Sequence, residues 1–351
     1  MHFRKKEKRV ELIIMVRKRI YVKTSNKRAI RNEVFLWDYT TCLSKSMRKD
    51  EFGFWHSQTM EISLKTKTPN SIFYQKEWVE VPQEKTLDIL PSEVIREKVC
   101  SEGLEVIVAL PPSNKPLPAI VICLGGPFIP IPNIGQTNSL YLYFLRHGYA
   151  LIIPLRRGVS GISQGWESAL EGHYGDYDVS DTISATKYVL AHYSNKIDKS
   201  RIFLYGGSYG GYVAELIAGK ANEEKMYKAI IPHCGVYDLA SYPWHNQGIP
   251  TETMQTYGRT SDQERYTENV ANISPKTYVR NWNVPILLIH HLYDTSSWFG
   301  QSVMAYNDAL KRGKQVNLLI VPGPHSYEIE NREALFSEIT SFIDNFTDKS
   351  N

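Results

Sequence analysis

The feature that most constrains the fold is an alternation, from residue 118 onward, of short apolar runs with helix-like stretches. Runs that are apolar at successive positions are typical of parallel strands buried on both faces. Helix-compatible segments between such strands predict a mostly parallel, doubly wound sheet with helices on both faces, which is an α/β architecture. The apolar runs span 119–124, 150–153, 201–205, 229–231, 285–290 and 316–321.

The composition is that of an ordinary globular protein, with 42% hydrophobic and 22% charged residues among 351. This excludes general disorder and collagen-like repeats. No apolar run approaches the roughly 20 residues of a membrane-spanning helix, so we expect no membrane insertion. The four cysteines show no C-x-x-C spacing, so the sequence indicates no metal site, no disulfide framework and no cofactor. Because no secretion signal is recognisable, we expect a cytoplasmic protein.

The chain divides by composition into three parts. Residues 1–31 hold twelve basic and two acidic residues, although the net charge of the whole chain is only +4. We interpret them as a solvated tail or a poorly ordered first strand, and we expect no nucleic-acid partner because no nucleic-acid-binding motif is present. Residues 32–90 predict a small β-rich extension, and residues 91–351 form the main α/β domain. Strand-like runs at 94–99 and 104–110 predict a hairpin.

The most informative motif is Gly206-Gly207-Ser208-Tyr209-Gly210, which fits G-x-S-x-G. An apolar strand ends at Tyr205 just before it, and a helix-compatible segment follows, as a nucleophile elbow requires. On such a turn the Ser208 hydroxyl is exposed, and the backbone N–H of Tyr209 points where an oxyanion forms. A glycine-rich packing turn is the alternative interpretation, and the strand and helix on either side disfavour it.

A serine nucleophile needs a base and an orienting acid, and in this architecture they follow it in the order acid, then histidine. Asp294 follows the apolar run 285–290, and His325 follows the run 316–321. Both side chains are predicted at the same sheet edge as Ser208, with His325 as general base and Asp294 as its partner. The competing candidates are His290, His291, His233, His173 and Asp344.

The loop after the first core strand is expected to supply a second oxyanion donor. Pro127 has no N–H, so Gly126 is the preferred donor and Phe128 is the second choice. Aromatic residues near the motifs suggest an apolar substrate pocket, although core packing explains most aromatic residues in a protein. The pocket candidates are Phe128, Tyr212, Trp244 and Trp298.

Together these motifs resemble the prolyl oligopeptidase family of serine peptidases, in particular its acylaminoacyl-peptidase and dipeptidyl-peptidase branch. Residues 206–212 match G-G-S-Y-G-G-Y, residues 157–161 resemble R-G-S-x-G, and residues 285–294 resemble P-x-L-L-I-H-G-x-x-D. Residues 322–325 resemble P-G-x-x-H. The resemblance covers roughly residues 90–348 and implies an α/β-hydrolase fold with a small β-rich N-terminal extension. It also implies peptide-bond cleavage through an acyl-enzyme.

The sequence departs from the family pattern at three places. Leu124 stands where the family's H-G-G-P has histidine, His291 stands at a glycine position, and Ser297-Trp298 replace Val-Pro. About 90 residues precede the hydrolase region, too few for the family's β-propeller, so family specificity is not carried over.

We therefore predict a serine hydrolase that cleaves short peptides. The alternatives are a carboxylesterase or acyltransferase acting on a small acyl substrate, and a catalytically inactive binding protein. Whether the protein forms a homo-oligomer is left open.

Overall fold

The computed structural model describes residues 93–346 apart from 101–102, 133–138, 223–224, 243–268 and 326–331, together with the backbone of seven strands before residue 93. The strands are β1 (Glu11–Val16), β2 (Arg19–Thr24), β3 (Glu33–Asp38), β4 (Leu43–Lys49), β5 (Trp55–Thr59), β6 (Ser71–Tyr74), β7 (Glu77–Glu80), β8 (Glu93–Lys98), β9 (Glu105–Leu110), β10 (Leu117–Cys123), β11 (Ile129–Pro130), β12 (Ala150–Leu155), β13 (Val159–Ser160), β14 (Ile197–Gly207), β15 (Ile230–His233), β16 (Ile286–His291) and β17 (Val316–Val321).

Helices connect most of the later strands. They are α1 (Ser139–Arg146), α2 (Gln164–Ser168), α3 (Tyr177–His192), α4 (Tyr209–Lys220), α5 (Pro275–Tyr278), α6 (Gly300–Lys311) and α7 (Arg332–Asp344), with a 3₁₀ turn at Val279–Asn281. None of these described helices combines the length and the apolar character that crossing a membrane requires.

One large sheet organises the molecule, with its strands in the order β2-β1-β17-β16-β15-β14-β10-β12-β9-β8. The neighbouring strands from β17 through β12 are parallel, while β9 and β8 join one edge as an antiparallel hairpin. The predicted parallel sheet and the predicted hairpin are therefore confirmed. At the other edge, the backbone of β1 lies parallel to β17 and antiparallel to β2. The predicted division of the chain after residues 31 and 90 stays a prediction.

The helices cover both faces of this sheet, and each face has its own core. Successive residues of β10 point to opposite faces, as the pleat of a strand dictates, so Val121 packs in one core and Ile122 in the other. The first core is closed by helices α3, α4 and α6, and includes Leu216. The second core is closed by α1 and α7, and includes Phe144 and Phe336.

The topology creates a crevice at the carboxyl ends of β10 and β14. From β10 the chain crosses to β12 on one side, and it then returns to form β14 on the other side. The loops leaving β10 and β14 diverge there, and open α/β sheets bind ligands at such a switch point. The loop after β10 holds residues 124–127, and the turn after β14 holds Ser208.

Candidate active site

Ser208 occupies a strained turn between β14 and α4. Its backbone angles are φ 57° and ψ −123°, a conformation that non-glycine residues rarely adopt. Its N–H donates to the carbonyl of His233 at 2.8 Å, and its own carbonyl accepts the N–H of Gly211 at 2.8 Å. The turn is therefore fixed from both sides, and the hydroxyl group faces the crevice at the sheet edge.

The glycines of the motif allow the close packing that this turn requires. A Cβ atom on Gly206 would lie 2.0 Å from the carbonyl oxygen of Gly210. A Cβ atom on Gly210 would lie 2.0 Å from the carbonyl oxygen of Cys123 in β10. Neither position can hold a side chain unless α4 moves away from the sheet, so both glycines serve the position of Ser208.

The structure brings the three predicted catalytic side chains together. His325 Nε2 lies 2.9 Å from Ser208 Oγ, and His325 Nδ1 lies 2.6 Å from Asp294 Oδ2. A carboxylate only accepts hydrogen bonds, so Nδ1 carries a proton and Nε2 accepts from the serine hydroxyl. This tautomer allows the imidazole to take up the hydroxyl proton when the serine attacks.

Asp294 is held as a carboxylate by its surroundings. Its second oxygen accepts the backbone N–H groups of Ser296 at 2.9 Å and Ser297 at 2.7 Å. Burial alone would raise the pKa of Asp294, but hydrogen bonds from His290, His325 and the Ser297 N–H together lower it below its usual range. The competing candidate His290 lies 3.5 Å from this carboxylate and also contacts the carbonyl of Ser297.

A buried arginine that the sequence analysis missed supports the predicted oxyanion loop. The Arg156 guanidinium donates to the carbonyl oxygens of Leu124 at 3.2 Å, Gly125 at 2.8 Å and Pro127 at 3.0 Å. Because these carbonyls surround Gly126, the arginine fixes the peptide groups of the loop. Arg156 is 1% exposed. The sequence gives no indication of this burial except that Arg156 directly precedes the arginine of the R-G motif.

The same arginine also contacts the other predicted oxyanion donor, Tyr209. The guanidinium carbon lies 4.8 Å from the centre of the Tyr209 ring, and the phenol hydroxyl donates to buried Asp178. Burial raises the pKa of Asp178 although Arg156 and the Tyr209 hydroxyl lower it. The ring is thus fixed at both ends, and with it the start of α4.

A cavity of about 550 Å³ opens beside Ser208 and His325. Most of its wall is apolar and comes from β10, the 129–132 segment and α1, while its floor is polar. The apolar lining residues are Ile122, Leu124, Ile129, Pro130, Ile131, Pro132 and Tyr141; the polar floor is formed by Tyr205, His233, Cys234 and His291.

Three of the four predicted pocket residues, Phe128, Tyr212 and Trp298, are not among the residues that line this cavity. Tyr212 is 1% exposed and packs in the core under α4, with its hydroxyl next to Gly175. Phe128 is 41% exposed just outside the cavity, and Trp298 packs against Phe299 and Gly300. Trp244 lies outside the described residues. The 129–132 segment contains no motif, so its place in the wall of this cavity could not be predicted from the sequence.

The sequence model described as the prolyl oligopeptidase family matches residues 136–350. The chain belongs to the prolyl oligopeptidase family. Among curated members, dipeptidyl-peptidase 5 of Porphyromonas gingivalis is 29% identical over 67% of this chain and 34% of its own length. The acylamino-acid-releasing enzyme of Rattus norvegicus is 28% identical over 61% of this chain and 30% of its own length. The chain thus spans about a third of the length of these relatives.

Solved structures of several peptidases share the fold. The acylaminoacyl peptidase of Pyrococcus horikoshii superimposes with a TM-score of 0.67 at 20% identity, covering 95% of this chain and 59% of the solved chain. A puromycin-hydrolyzing peptidase of Mycobacterium tuberculosis gives a TM-score of 0.63 at 16% identity, covering 90% and 45% of the two chains. The predicted α/β-hydrolase fold is therefore confirmed.

The departures from the prolyl oligopeptidase pattern all lie around this site. Leu124 lines the cavity wall, and its carbonyl accepts from Arg156. His291 lies in the cavity floor, where the family pattern has a glycine without a side chain. Ser297 donates its N–H to Asp294. These replacements change the surroundings of the three side chains while keeping their geometry.

Proposed function

We propose that this chain is a serine peptidase that cleaves short peptides by acyl transfer through Ser208, His325 and Asp294. The observation that carries the proposal is the pair of contacts made by His325, 2.9 Å to the serine hydroxyl and 2.6 Å to the carboxylate. An imidazole placed between a hydroxyl and a buried carboxylate is the arrangement that activates a serine.

In the first step, Ser208 Oγ attacks the carbonyl carbon of the scissile bond and His325 Nε2 takes up the hydroxyl proton. The imidazolium that forms is stabilised by Asp294. Negative charge develops on the carbonyl oxygen, where we assign the N–H groups of Tyr209 and Gly126 as donors. Donors fixed in advance stabilise this charge more than the neutral carbonyl, so they lower the barrier.

In the second step, His325 returns its proton to the leaving amine and the C–N bond breaks. An ester now joins the acyl group to Ser208. Water attacks this ester with His325 again accepting a proton, and the released serine regains its hydrogen. The chain's own residues therefore supply every proton transfer of the cycle.

The cavity beside Ser208 favours a substrate with an apolar group. Its volume of about 550 Å³ and its wall of aliphatic side chains, prolines and one tyrosine suit a bulky apolar side chain next to the scissile bond. One solved acylaminoacyl peptidase carries Z-Gly-Gly-Phe-chloromethyl ketone, a peptide reagent that ends in phenylalanine. The curated relatives are named for releasing dipeptides and acylated amino acids.

A panel of chromogenic substrates tests the proposal. We expect turnover of N-acylated or free aminoacyl arylamides with apolar residues, abolished in Ser208→Ala and retained in Ser168→Ala, an exposed serine of α2. Rapid cleavage of short acyl esters without detectable arylamide hydrolysis would support the esterase alternative instead. No turnover of either class would support the inactive binding protein.

We further propose a reducing compartment such as the cytoplasm. Within the described part of the chain, Cys123 and Cys234 are buried free thiols and Cys100 is an exposed one. Free thiols persist where glutathione and thioredoxin keep them reduced. Immunodetection after cell fractionation tests this location, and recovery in an oxidising compartment would contradict it.

A further inference from the structure

Three potential metal ligands converge in the floor of the cavity. His233 ends β15, Cys234 follows it directly, and His291 ends the neighbouring strand β16. All three residues are buried, and their ligand atoms lie within 4.8 Å of one another. The two Nε2 atoms are only 2.9 Å apart. None of these side chains takes or gives a proton in the acyl-transfer steps above, although the Cys234 thiol donates a hydrogen bond to the Asp294 carboxylate.

Both imidazoles are oriented by oxygen atoms on their far side. His291 Nδ1 donates its hydrogen to the carbonyl of Pro324, and His233 Nδ1 lies 2.7 Å from the hydroxyl of Tyr205. In metal sites, a ligating histidine almost always contacts such an oxygen through its other nitrogen, which fixes the ring.

The third ligand sits on a strained backbone. Cys234 has φ 52°, a conformation that non-glycine residues rarely adopt, and its N–H donates to the carbonyl of Ile289 at 2.8 Å. Its thiol also lies within 4.8 Å of the ligand atoms of Asp294 and His325. A metal ion bound to Cys234 is therefore next to the acid and base of the proposed catalytic site.

We propose that His233, Cys234 and His291 bind one zinc ion, with the fourth position open to the cavity, and that this ion inhibits hydrolysis. Two nitrogen ligands of a tetrahedral zinc ion lie about 3.3 Å apart. The observed separation of 2.9 Å has to widen by only about 0.4 Å. Two imidazoles and one thiolate form a ligand set that zinc prefers. The inhibitory part rests on the proposed function, whereas the binding site does not.

Binding of one zinc ion releases one proton from the protein. In the metal-free state His233 Nε2–H donates to His291 Nε2, and the Tyr205 hydroxyl donates to His233 Nδ1. On binding, His233 shifts its hydrogen to Nδ1 and donates it to the Tyr205 oxygen, so both rings stay neutral. Cys234 loses its thiol proton to solvent and binds as a thiolate. No oxidant or reductant is involved.

The expected inhibition follows from charge. A zinc ion with one thiolate adds a net charge of +1 beside His325, which must become an imidazolium during the attack. Like charges at short distance repel each other, so the ion opposes formation of the imidazolium. We expect saturating zinc to slow hydrolysis at least about tenfold, because this repulsion opposes the charge that develops on His325 in the transition state.

The site is tested first without any activity measurement, on the full chain freed of metal with a chelator. We expect Co²⁺ to produce a thiolate-to-cobalt charge-transfer band and calorimetry to give one zinc ion per chain. Cys234→Ser should abolish the band, and Cys100→Ser, which changes an exposed cysteine, should retain it. No band in the unchanged chain, or an undiminished band in Cys234→Ser, would overturn the site.

Two further variants test the histidine ligands and their orientation. His291→Gly restores the family's residue and removes one ligand, so it should weaken zinc binding by more than about tenfold. Tyr205→Phe removes only the oxygen that orients His233, and it should weaken zinc binding by about 10- to 100-fold. Inhibition is expressed relative to the zinc-free rate of each variant. Unchanged affinity in both variants would overturn the assignment. A cobalt band in a chain that hydrolyses nothing would leave the site standing and contradict only the proposed function.

Discussion

The Arg156 guanidinium lies 4.8 Å above the ring of Tyr209. The same group donates to the carbonyls of Leu124 and Gly125, so one buried cation connects the two segments that we assign to the oxyanion hole. The loop after β10 and the start of α4 are distant in sequence, at residues 124–127 and 209. We infer that Arg156 is a positioning residue for both donors.

Replacing Arg156 with lysine tests this role. Lysine keeps the charge but cannot form the planar fork that reaches several carbonyls at once. We expect kcat to fall by about 10- to 100-fold with little change in KM, since loss of one oxyanion donor costs up to about 10³ in rate. Affinity for a peptide boronate should fall in parallel with kcat/KM, and Arg146→Lys serves as an exposed control. A change confined to KM would contradict the role.

The carboxylate of Asp294 fixes the tautomer of His325. Asp294→Asn keeps the shape but offers Nδ1 an amide, so the imidazole can adopt the wrong tautomer. We expect kcat at neutral pH to fall by about 10³- to 10⁴-fold, as in serine peptidase triads generally. Asp344→Asn, which changes the competing acid of α7, should retain activity. The reverse pattern in steady-state kinetics would show that Asp344 is the acid.

Substrate selection depends on the wall of the cavity. Ile131→Trp places a larger side chain in the lining and reduces the space beside Ser208. We expect kcat/KM for phenylalanyl substrates to fall at least about tenfold while alanyl substrates lose little, since steric fit of this size is worth about 10- to 200-fold. Val94→Trp, at an exposed position, is the control. Equal losses for both substrates would show that the cavity does not select the side chain.

The buried carboxyl group of Glu215 should make the free energy of unfolding depend on pH. It is 0% exposed, and neither carboxyl oxygen has a hydrogen-bond partner within the described part of the chain. Burial raises the pKa of Glu215 well above its ordinary value, so the folded state holds the carboxyl neutral. The contribution of Glu215 to stability is then greatest below the unfolded pKa of about 4.3 and falls, by up to about 1.4 kcal/mol per pH unit, as the pH rises toward the folded pKa.

Glu215→Gln removes this titration. We expect the variant to be more stable than the unchanged chain at pH 7 and above, with a smaller difference at pH 5. Urea unfolding across this pH range measures the difference, and Glu333→Gln, an exposed change in α7, should show none. A difference that does not depend on pH would show that the carboxyl is not held neutral.

Local patterns were sufficient to predict much of this molecule. The apolar run 119–124 became β10, and the G-x-S-x-G motif became the turn at Ser208, because both depend on residues adjacent in sequence. Strand order then follows from topology, so side chains after β16 and β17 could be expected near that turn. Asp294 and His325 lie where this argument predicted, and their catalytic roles stay a proposal.

Features that depend on tertiary packing could not be predicted. Tyr212 follows Ser208 by one helical turn, and this phase directs its side chain into the core next to Gly175 instead of the crevice. Arg156 and Arg157 are adjacent in sequence, yet it is the guanidinium of Arg156 that donates to the loop after β10. Pairing of His233 with His291 depends on the register of β15 against β16, which a single sequence does not specify.

The central claim is that His325 activates Ser208, and mapping of a fluorophosphonate adduct tests it most directly. We predict one adduct per chain on the peptide that contains Ser208, none in Ser208→Ala, and a labelling rate reduced by at least about 10³-fold in His325→Ala. An adduct on another residue, or an unchanged labelling rate in His325→Ala, would contradict the account.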